Sequence, residues 1–186
     1  MTEAEAIQAS PDSGCPPEVL RDLVLLPVSF VGFDGAERTG QIVVHRDVVA
    51  DVTDVFTLIR KIGFPLAKVI PIAHPAYRWD DFRSCDDNNT SSFNYRVIAG
   101  SNKISKHSYG LAIDINPVQN PYIRYDSSGQ ESFRAPAAAA YDLQAPGTLS
   151  SEHPVVLRLK SLGWEWGGDW TKESGRKDYQ HFEKSL

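Results

Sequence analysis

Two apolar stretches near the start of the chain predict a β-hairpin. Leu23–Phe33 is rich in Leu, Val and Phe, and Gln41–His45 is rich in β-branched residues. The dipeptide Asp34-Gly35 lies between them and is typical of the tight turns that join antiparallel strands. We therefore predict two antiparallel strands over residues 23–45.

A helix is predicted directly after this hairpin. Six apolar residues recur at the spacing i, i+4, i+7 and i+8: Val48, Val52, Val55, Phe56, Ile59 and Ile62. This spacing places them on one face of an α-helix. Gly63 and Pro65 follow, and both residue types commonly end helices.

The rest of the chain consists of short elements and two long polar stretches. Residues 74–92 and 117–150 are polar or rich in Pro and predict long loops, which often carry functional residues. Helices and strands do not alternate regularly, so the pattern favours an α+β fold over a doubly wound sheet. The other predicted elements are strands at Lys68–Ile72, Phe93–Ala99, Leu111–Ile115 and Tyr179–Glu183, and a helix at Pro154–Leu162.

Composition and charge narrow the class of protein. The 186 residues are 41% hydrophobic and 23% charged, which suits one globular domain. Of the net charge of −5, residues 1–18 contribute four acids and no base. We predict a mobile tail over residues 1–19 and one domain over residues 20–186. The nearly neutral domain lacks the positive charge expected of a nucleic-acid-binding protein.

Neither a membrane span nor a secretory signal is expected within this chain. No apolar run approaches the ~20 residues of a spanning helix. The first residues contain neither a basic nor an apolar region of the kind found in signal peptides. Cys15 and Cys85 are the two cysteines, too few and too distant for a cysteine zinc site, and whether they pair stays open.

The strand predicted at Leu111–Ile115 carries one carboxylate among core aliphatics. The apolar residues of this strand alternate, so Asp114 points to the opposite face. A carboxylate placed in this way needs a partner because burying it unpaired is costly, and a zinc ion is a suitable partner. Gly110 permits a bend that brings His107 from the preceding loop toward Asp114.

A third ligand and a base are available near the end of the sequence. His181 completes a set of three N or O ligands, the number that catalytic zinc takes while it keeps a fourth position for water. Asp178 precedes it by three residues and is the candidate general base. Glu183 lies on the same strand face as His181 and could orient its ring. From spacing alone, structural roles for the histidines remain the alternative.

Three motifs together resemble a known family. S-x-H-x-x-G-x-A-x-D spans Ser105–Asp114, G-W-x-W-G-G spans Gly163–Gly168, and D-x-x-H-F-E spans Asp178–Glu183. In this order they are similar to the D-alanyl-D-alanine carboxypeptidase family of zinc peptidases, which includes vancomycin-resistance carboxypeptidases and dipeptidases and phage L-alanyl-D-glutamate endolysins. The resemblance covers residues 20–186. It implies a Hedgehog/DD-peptidase-like fold, with a small antiparallel sheet, flanking helices and long loops, and a Zn2+ ion bound by His107, Asp114 and His181.

Further positions complete the predicted site. The resemblance implies that Asp178 is the base, although many relatives have the longer Glu there. The family also has an arginine that polarises the scissile carbonyl or holds the substrate carboxylate. Arg96 is our first candidate for it and Arg83 the second. Ser105 and Trp166 are candidate substrate contacts, and a turn residue and a core aromatic are the alternatives.

The implied activity is zinc-dependent hydrolysis of peptidoglycan stem peptides, in first place by a D-Ala-D-Ala carboxypeptidase. An L-alanyl-D-glutamate endopeptidase is the alternative enzyme. A free substrate C-terminus needs a cationic end-stop and an endopeptidase needs an open groove, and the sequence does not distinguish them. A non-catalytic zinc-binding module, like the Hedgehog signalling domain, is the alternative from another class.

The resemblance also implies a partner and a location. The expected partner is a peptidoglycan peptide, the expected state is a monomer, and the expected location is periplasmic or extracellular.

Overall fold

The computed structural model describes residues 1–98, 101–171 and 174–186. It mixes short helices with short strands, in agreement with the α+β prediction. The helices are α1 (Glu3–Ala6), α2 (Pro17–Arg21), α3 (Val49–Lys61), α4 (Asp81–Asp86) and α5 (Pro154–Ser161). The strands are β1 (Leu23–Val31), β2 (Glu37–His45), β3 (Lys68–Val69), β4 (Asn89–Thr90), β5 (Ala112–Asp114), β6 (Tyr122–Tyr125), β7 (Glu131–Ala135), β8 (Glu165–Trp166), β9 (Arg176–Asp178) and β10 (His181–Glu183). None of these helices is long and apolar enough to cross a membrane.

The strands form four small sheets. Three are antiparallel, with the strand orders β1-β2, β5-β10-β8 and β7-β6-β9. The fourth is the parallel pair of β3 and β4. The prediction of a small antiparallel sheet is therefore correct for the strand direction. It is wrong for the number of sheets, because the structure divides the strands among several.

The hairpin and helix α3 form much of the core. β1 and β2 pair along their full length around the predicted turn at Asp34-Gly35. Helix α3 buries Val52, Val55, Phe56 and Ile59 against this hairpin and α5. Both predicted elements are confirmed, with ends shifted by a few residues, because their apolar periodicity is strong.

The β5-β10-β8 sheet separates the core from a polar face. Ile113 and Phe182 are direct cross-strand partners of β5 and β10, and both are buried in the core. The next pair along the same strands is Asp114 with His181. Because successive strand residues point to opposite faces, Asp114 and His181 lie on the side away from Ile113 and Phe182.

The second predicted loop, residues 117–150, contains regular structure. Strands β6 and β7 form a hairpin within it, and β9 joins the free side of β6. The turn is built by Asp126, whose side chain accepts hydrogen bonds from the N–H groups of Ser128 and Gln130. The apolar pattern does not reveal these strands, because polar and charged side chains occupy most of their alternating positions.

Helix α4 interrupts the first predicted loop, residues 74–92. Asp80 caps this helix by accepting a hydrogen bond from the N–H of Arg83 at 3.1 Å. The helix carries Cys85, which is buried, and both Cys85 and Cys15 are free thiols. The pairing that the sequence left open is therefore not made in this structure.

The strand predicted at Phe93–Ala99 is irregular, and its last residue, Ala99, lies outside the described ranges. Val97 forms an isolated bridge with Ile104. The carbonyl of Arg96 accepts a hydrogen bond from the N–H of Ser105. These bonds tie the segment to the following turn, so its backbone groups are satisfied without a strand ladder.

The first nineteen residues, predicted as a mobile tail, lie against the domain. Ala6 of α1 is buried beside Leu23 and Val43. The amino group of Met1 donates a hydrogen bond to the side chain of Gln41 at 2.8 Å. Such sparse contacts leave no periodic pattern in a polar sequence, which is why the pattern alone predicts a tail.

Candidate metal centre and active site

Local structure brings His107, Asp114 and His181 together. Asp114 and His181 face each other across β5 and β10. His107 lies on a 3-10 turn, Lys106–Tyr109, which ends at Gly110 in the left-handed conformation with φ +65°. The turn therefore folds back directly before β5. All three side chains are buried, and their ligand atoms form the group in the described chain that could hold a metal ion.

The distances in this cluster suit a tetrahedral metal ion. His107 Nε2 lies 3.2 Å from His181 Nδ1 and 3.2 Å from Asp114 Oδ2. His181 Nδ1 lies 3.1 Å from Asp114 Oδ1. A tetrahedral zinc site with bonds of about 2.0–2.1 Å has ligand atoms about 3.3–3.4 Å apart. The three donors therefore need only a small expansion to surround such an ion.

Hydrogen bonds outside the cluster fix which ring nitrogens carry protons. His107 Nδ1 lies 2.6 Å from the carbonyl oxygen of Ser92, and His181 Nε2 lies 2.9 Å from Glu183 Oε2. Both partners only accept hydrogen bonds, so these two nitrogens are the protonated ones. The neutral rings then direct two lone pairs at each other beside Asp114. That arrangement fits a cation at the centre and is the usual outer support of metal-bound histidines.

The electrostatics of the metal-free cluster also favour a positive charge. Burial lowers the pKa of His181, but hydrogen bonds to Asp114 and Glu183 outweigh it and raise this pKa to about 10. Burial works against ionisation of Asp114, yet the charges and hydrogen bonds of His107 and His181 hold its pKa well below its usual range. A proton or a metal ion can therefore supply the positive charge.

Asp178 is the second carboxylate at this site. Its Oδ1 is buried and has no hydrogen-bond partner among the described residues. Burial raises the pKa of Asp178 to about 7, and the charge of Asp114 adds to the rise while that of His181 opposes it. Gly167 allows this placement, since an added Cβ would lie 2.5 Å from the carbonyl oxygen of Asp178. Close packing against Asp178 therefore explains why a glycine stands at the first position of the Gly-Gly pair in the second motif.

Of the two candidate arginines, Arg96 lines the cavity and Arg83 does not. Arg96 forms an ion pair of 2.9 Å with Asp81, and its Nε is buried without a partner in the described part of the chain. Arg83 lies on the exposed side of α4, with its guanidinium 3.5 Å from the carbonyl oxygen of Ala76. A substrate in this cavity could therefore contact Arg96 and not Arg83, and the role of Arg96 stays a prediction.

The two candidate substrate contacts differ in position. Ser105 lines the cavity, and its Oγ accepts a hydrogen bond from the N–H of His107, so it also caps the turn. Trp166 does not reach the cavity: it is buried in the core and stacks on Phe182. Trp170 lines the cavity in its place, with ring centroids 5.7 Å apart between it and His181.

Residues of the unpredicted sheet also line the cavity. They are Tyr122 and Arg124 of β6, Phe133 and Ala135 of β7, and Arg176 of β9. The available signal was the spacing of two residues between Tyr122 and Arg124 and between Phe133 and Ala135, which puts each pair on one strand face. It is weak because each strand is short and only partly apolar.

Replacement of Gly110 by alanine is expected to destabilise the chain. The residue has φ +65°, and an added Cβ would lie 2.6 Å from the backbone nitrogen of His45 and 2.7 Å from a methyl group of Leu23. Gly35→Ala is the matched control, because φ is +79° there and no atom lies within 4 Å. Urea unfolding should show a loss of about 1–2 kcal/mol for Gly35→Ala and a larger loss for Gly110→Ala. Equal losses would contradict the close packing at the turn.

Comparison with known families agrees with the motif resemblance. A family model described as D-alanyl-D-alanine carboxypeptidase matches residues 99–184. The matched range contains His107, Asp114, Asp178 and His181. No solved structure gives a significant match. Over residues 99–184, this chain is therefore similar to the D-alanyl-D-alanine carboxypeptidase family of peptidases.

Proposed function

We propose that this chain is a zinc peptidase that hydrolyses peptide bonds in peptidoglycan stem peptides, as a D-Ala-D-Ala carboxypeptidase. The observation that carries the proposal is the buried triangle of His107, Asp114 and His181, whose lone pairs converge at the cavity that Asp178 also lines. The Oδ1 of Asp178 is buried and has no hydrogen-bond partner among the described residues. The match of residues 99–184 to the carboxypeptidase family model supports a peptide substrate. We also infer a fold like that of DD-peptidases and Hedgehog domains, supported by the Asp–His pair on neighbouring strands.

Zinc is the metal that these donors favour. Two imidazoles and one carboxylate form a common ligand set for catalytic zinc, which leaves a position open for water. When bound, zinc would act as a Lewis acid and would lower the pKa of a water molecule toward neutral pH. His107, Asp114 and His181 would hold it, and Ser92 and Glu183 would keep the two rings in the required tautomers.

Asp178 and Arg96 supply the remaining chemistry in this proposal. Asp178 accepts a proton from the attacking water and returns it to the leaving amine, and a pKa raised to about 7 suits both transfers. Arg96 lines the same cavity and stabilises negative charge on the carbonyl oxygen of the scissile bond. Asp81 orients Arg96 through their ion pair.

The alternative is a metal-binding module without catalysis. Such a module needs the three ligands and has no use for a second buried carboxylate. Asp178 is costly to keep, because its Oδ1 lacks a hydrogen-bond partner among the described residues. A cost of this kind is common at catalytic sites, so Asp178 favours the enzyme.

The metal assignment predicts close to one zinc ion per chain. Elemental analysis after dialysis should find this zinc in the parent and little of it in His107→Ala or His181→Ala. His74→Ala is the control, since His74 does not line the cavity, and it should keep the metal. Chelation should lower the melting temperature of the parent, because the ion binds only the folded chain. Full zinc retention in both ligand variants would refute the assignment.

Asp178→Asn separates catalysis from metal binding. This variant should keep zinc and lose about 10²–10⁴-fold in the rate of hydrolysis of a D-alanine-ended peptide, because amides are not general bases.

The same variant also tests the stability cost of the buried carboxyl. Without metal at pH 7, the free energy of unfolding of Asp178→Asn should be no lower than that of the parent. The reason is that the unfolded carboxyl has a pKa of about 3.9, so the folded parent, with a pKa of about 7, loses stability as pH rises between these values.

The parent should also lose activity as the pH falls through the pKa of Asp178, because only the carboxylate accepts the proton. Bound metal adds positive charge and lowers this pKa, so the acid limb lies at or below about pH 7. Wild-type rates from Asp178→Asn would exclude the proposed base. A zinc-loaded parent without activity on muropeptides would favour the non-catalytic module.

The arginine ranking predicts unequal effects of two conservative changes. Arg96→Lys should lose most activity, since a lysine cannot replace the planar guanidinium in a bidentate contact. Arg83→Lys should stay close to the parent, because Arg83 lies outside the cavity. The measurement is kcat/KM on one D-alanine-ended peptide. An inactive Arg83→Lys beside an active Arg96→Lys would reverse the ranking and leave the zinc site unaffected.

A further inference from the structure

One wall of the cavity is a single face of the β7-β6-β9 sheet. Side chains from this face stand in two rows that cross the three strands. The first row is Ala135, Tyr122 and Asp178, and the second is Phe133, Arg124 and Arg176. The proposed base therefore ends one row, and two arginines stand side by side in the next.

The two arginines are an unusual pair for neighbouring strands. Arg124 and Arg176 are direct cross-strand partners, and like charges in such positions repel each other. No carboxylate within residues 1–98, 101–171 and 174–186 forms an ion pair with either guanidinium, whereas Arg96 in the same cavity is paired with Asp81. The repulsion is therefore not offset by an acid in the described chain.

Aromatic rings hold both guanidinium groups at the cavity wall. Arg124 lies over the ring of Phe133 at 4.5 Å, and Arg176 lies over the ring of Trp170 at 4.4 Å. Burial raises the pKa of Tyr122, and the positive charges of Arg176 and Arg124 oppose that rise. The ring contacts limit the freedom of two long side chains before any ligand binds, which lowers the entropic cost of binding an anion.

The position of the pair relative to Asp178 identifies the part of the substrate that reaches it. Arg176 and Asp178 lie two residues apart on one strand, so their Cα atoms are about 6.6–6.8 Å apart. Asp178 delivers its proton to the nitrogen of the leaving residue. The carboxyl carbon of that residue is two bonds away from its nitrogen, at a distance of about 2.5 Å. A long arginine side chain spans the remaining distance.

We propose that Arg124 and Arg176 form a carboxylate subsite that binds the free α-carboxylate of the leaving residue. The inference rests on the proposed peptidase function and deepens it, because this subsite selects peptides with a free C-terminus. An endopeptidase substrate would place a neutral amide between the two guanidinium groups and leave their repulsion uncompensated. The subsite is thus the cationic end-stop that a carboxypeptidase requires.

The test compares two peptides on the zinc-loaded protein. One is an N-acylated D-alanyl-D-alanine with a free C-terminal carboxylate, and the other is the same peptide as a C-terminal amide. The parent should cleave the free acid roughly 10- to 100-fold better in kcat/KM, the range for a charge-assisted hydrogen-bonded contact. Arg124→Gln and Arg176→Gln should lose this preference through slower cleavage of the acid, with little change for the amide.

Arg134→Gln is the matched control for charge and for hairpin stability. Arg134 belongs to the same hairpin but alternates with Phe133 and Ala135, so it lies on the opposite face and is absent from the cavity wall. It should retain the preference of the parent for the free acid. Arg176→Lys should recover part of that preference, because a cation returns without the planar fork.

A binding measurement removes the dependence on turnover. Calorimetry on zinc-loaded Asp178→Asn should show tighter binding of the acid than of the amide, and the added change Arg176→Gln should make the two equal. Equal affinity for both peptides in Asp178→Asn would overturn the subsite. Equal cleavage of both peptides by an active parent would overturn it too, and would leave the zinc peptidase assignment in place. A parent inactive on both peptides would count against the proposed function, and calorimetry would still decide the subsite.

Discussion

The buried cluster of His107, Asp114 and His181 needs a positive charge at its centre. Two ring nitrogens that carry lone pairs lie 3.2 Å apart beside a carboxylate, and without a cation these groups repel one another. The surrounding structure maintains this arrangement: Ser92 and Glu183 hold the outer ring nitrogens, and β5 and β10 fix the Asp–His pair. A proton can satisfy the cluster, and its three ligand atoms could also hold a metal ion.

Charged side chains line the cavity at this centre. The Oδ1 of Asp178 is buried, and ionisation of this carboxyl is costly there. Arg96 lines the same cavity, and Asp81 offsets its charge. Arg124 and Arg176 occupy the second row of the sheet wall, without an ion-pair partner in the described part of the molecule. A peptide with its carbonyl at the centre and its terminal carboxylate at this row would complement every one of these charges.

Sequence patterns predicted the elements whose buried apolar residues recur with a strong periodicity. The hairpin, helix α3, helix α5 and the central strands follow from such patterns. The same reasoning missed the β6–β7 hairpin and helix α4, because β6 and β7 are short and only partly apolar and Asp80 supplies only one cap. For Trp166, composition suggested either core or cleft, and packing against Phe182 decides for the core.

The sequence by itself determined the chemistry that is available: two histidines and an aspartate with ligand character, an extra carboxylate at Asp178, and glycines where the backbone must turn or approach closely. Strand parity also fixed the side of β5 on which Asp114 lies, since alternation is a local property of an extended chain. Only the tertiary structure decided which cations share the cavity. Arg124 and Arg176 are distant in sequence and become neighbours through the register of β6 and β9, and a register between distant strands is set by long-range packing that no local pattern records.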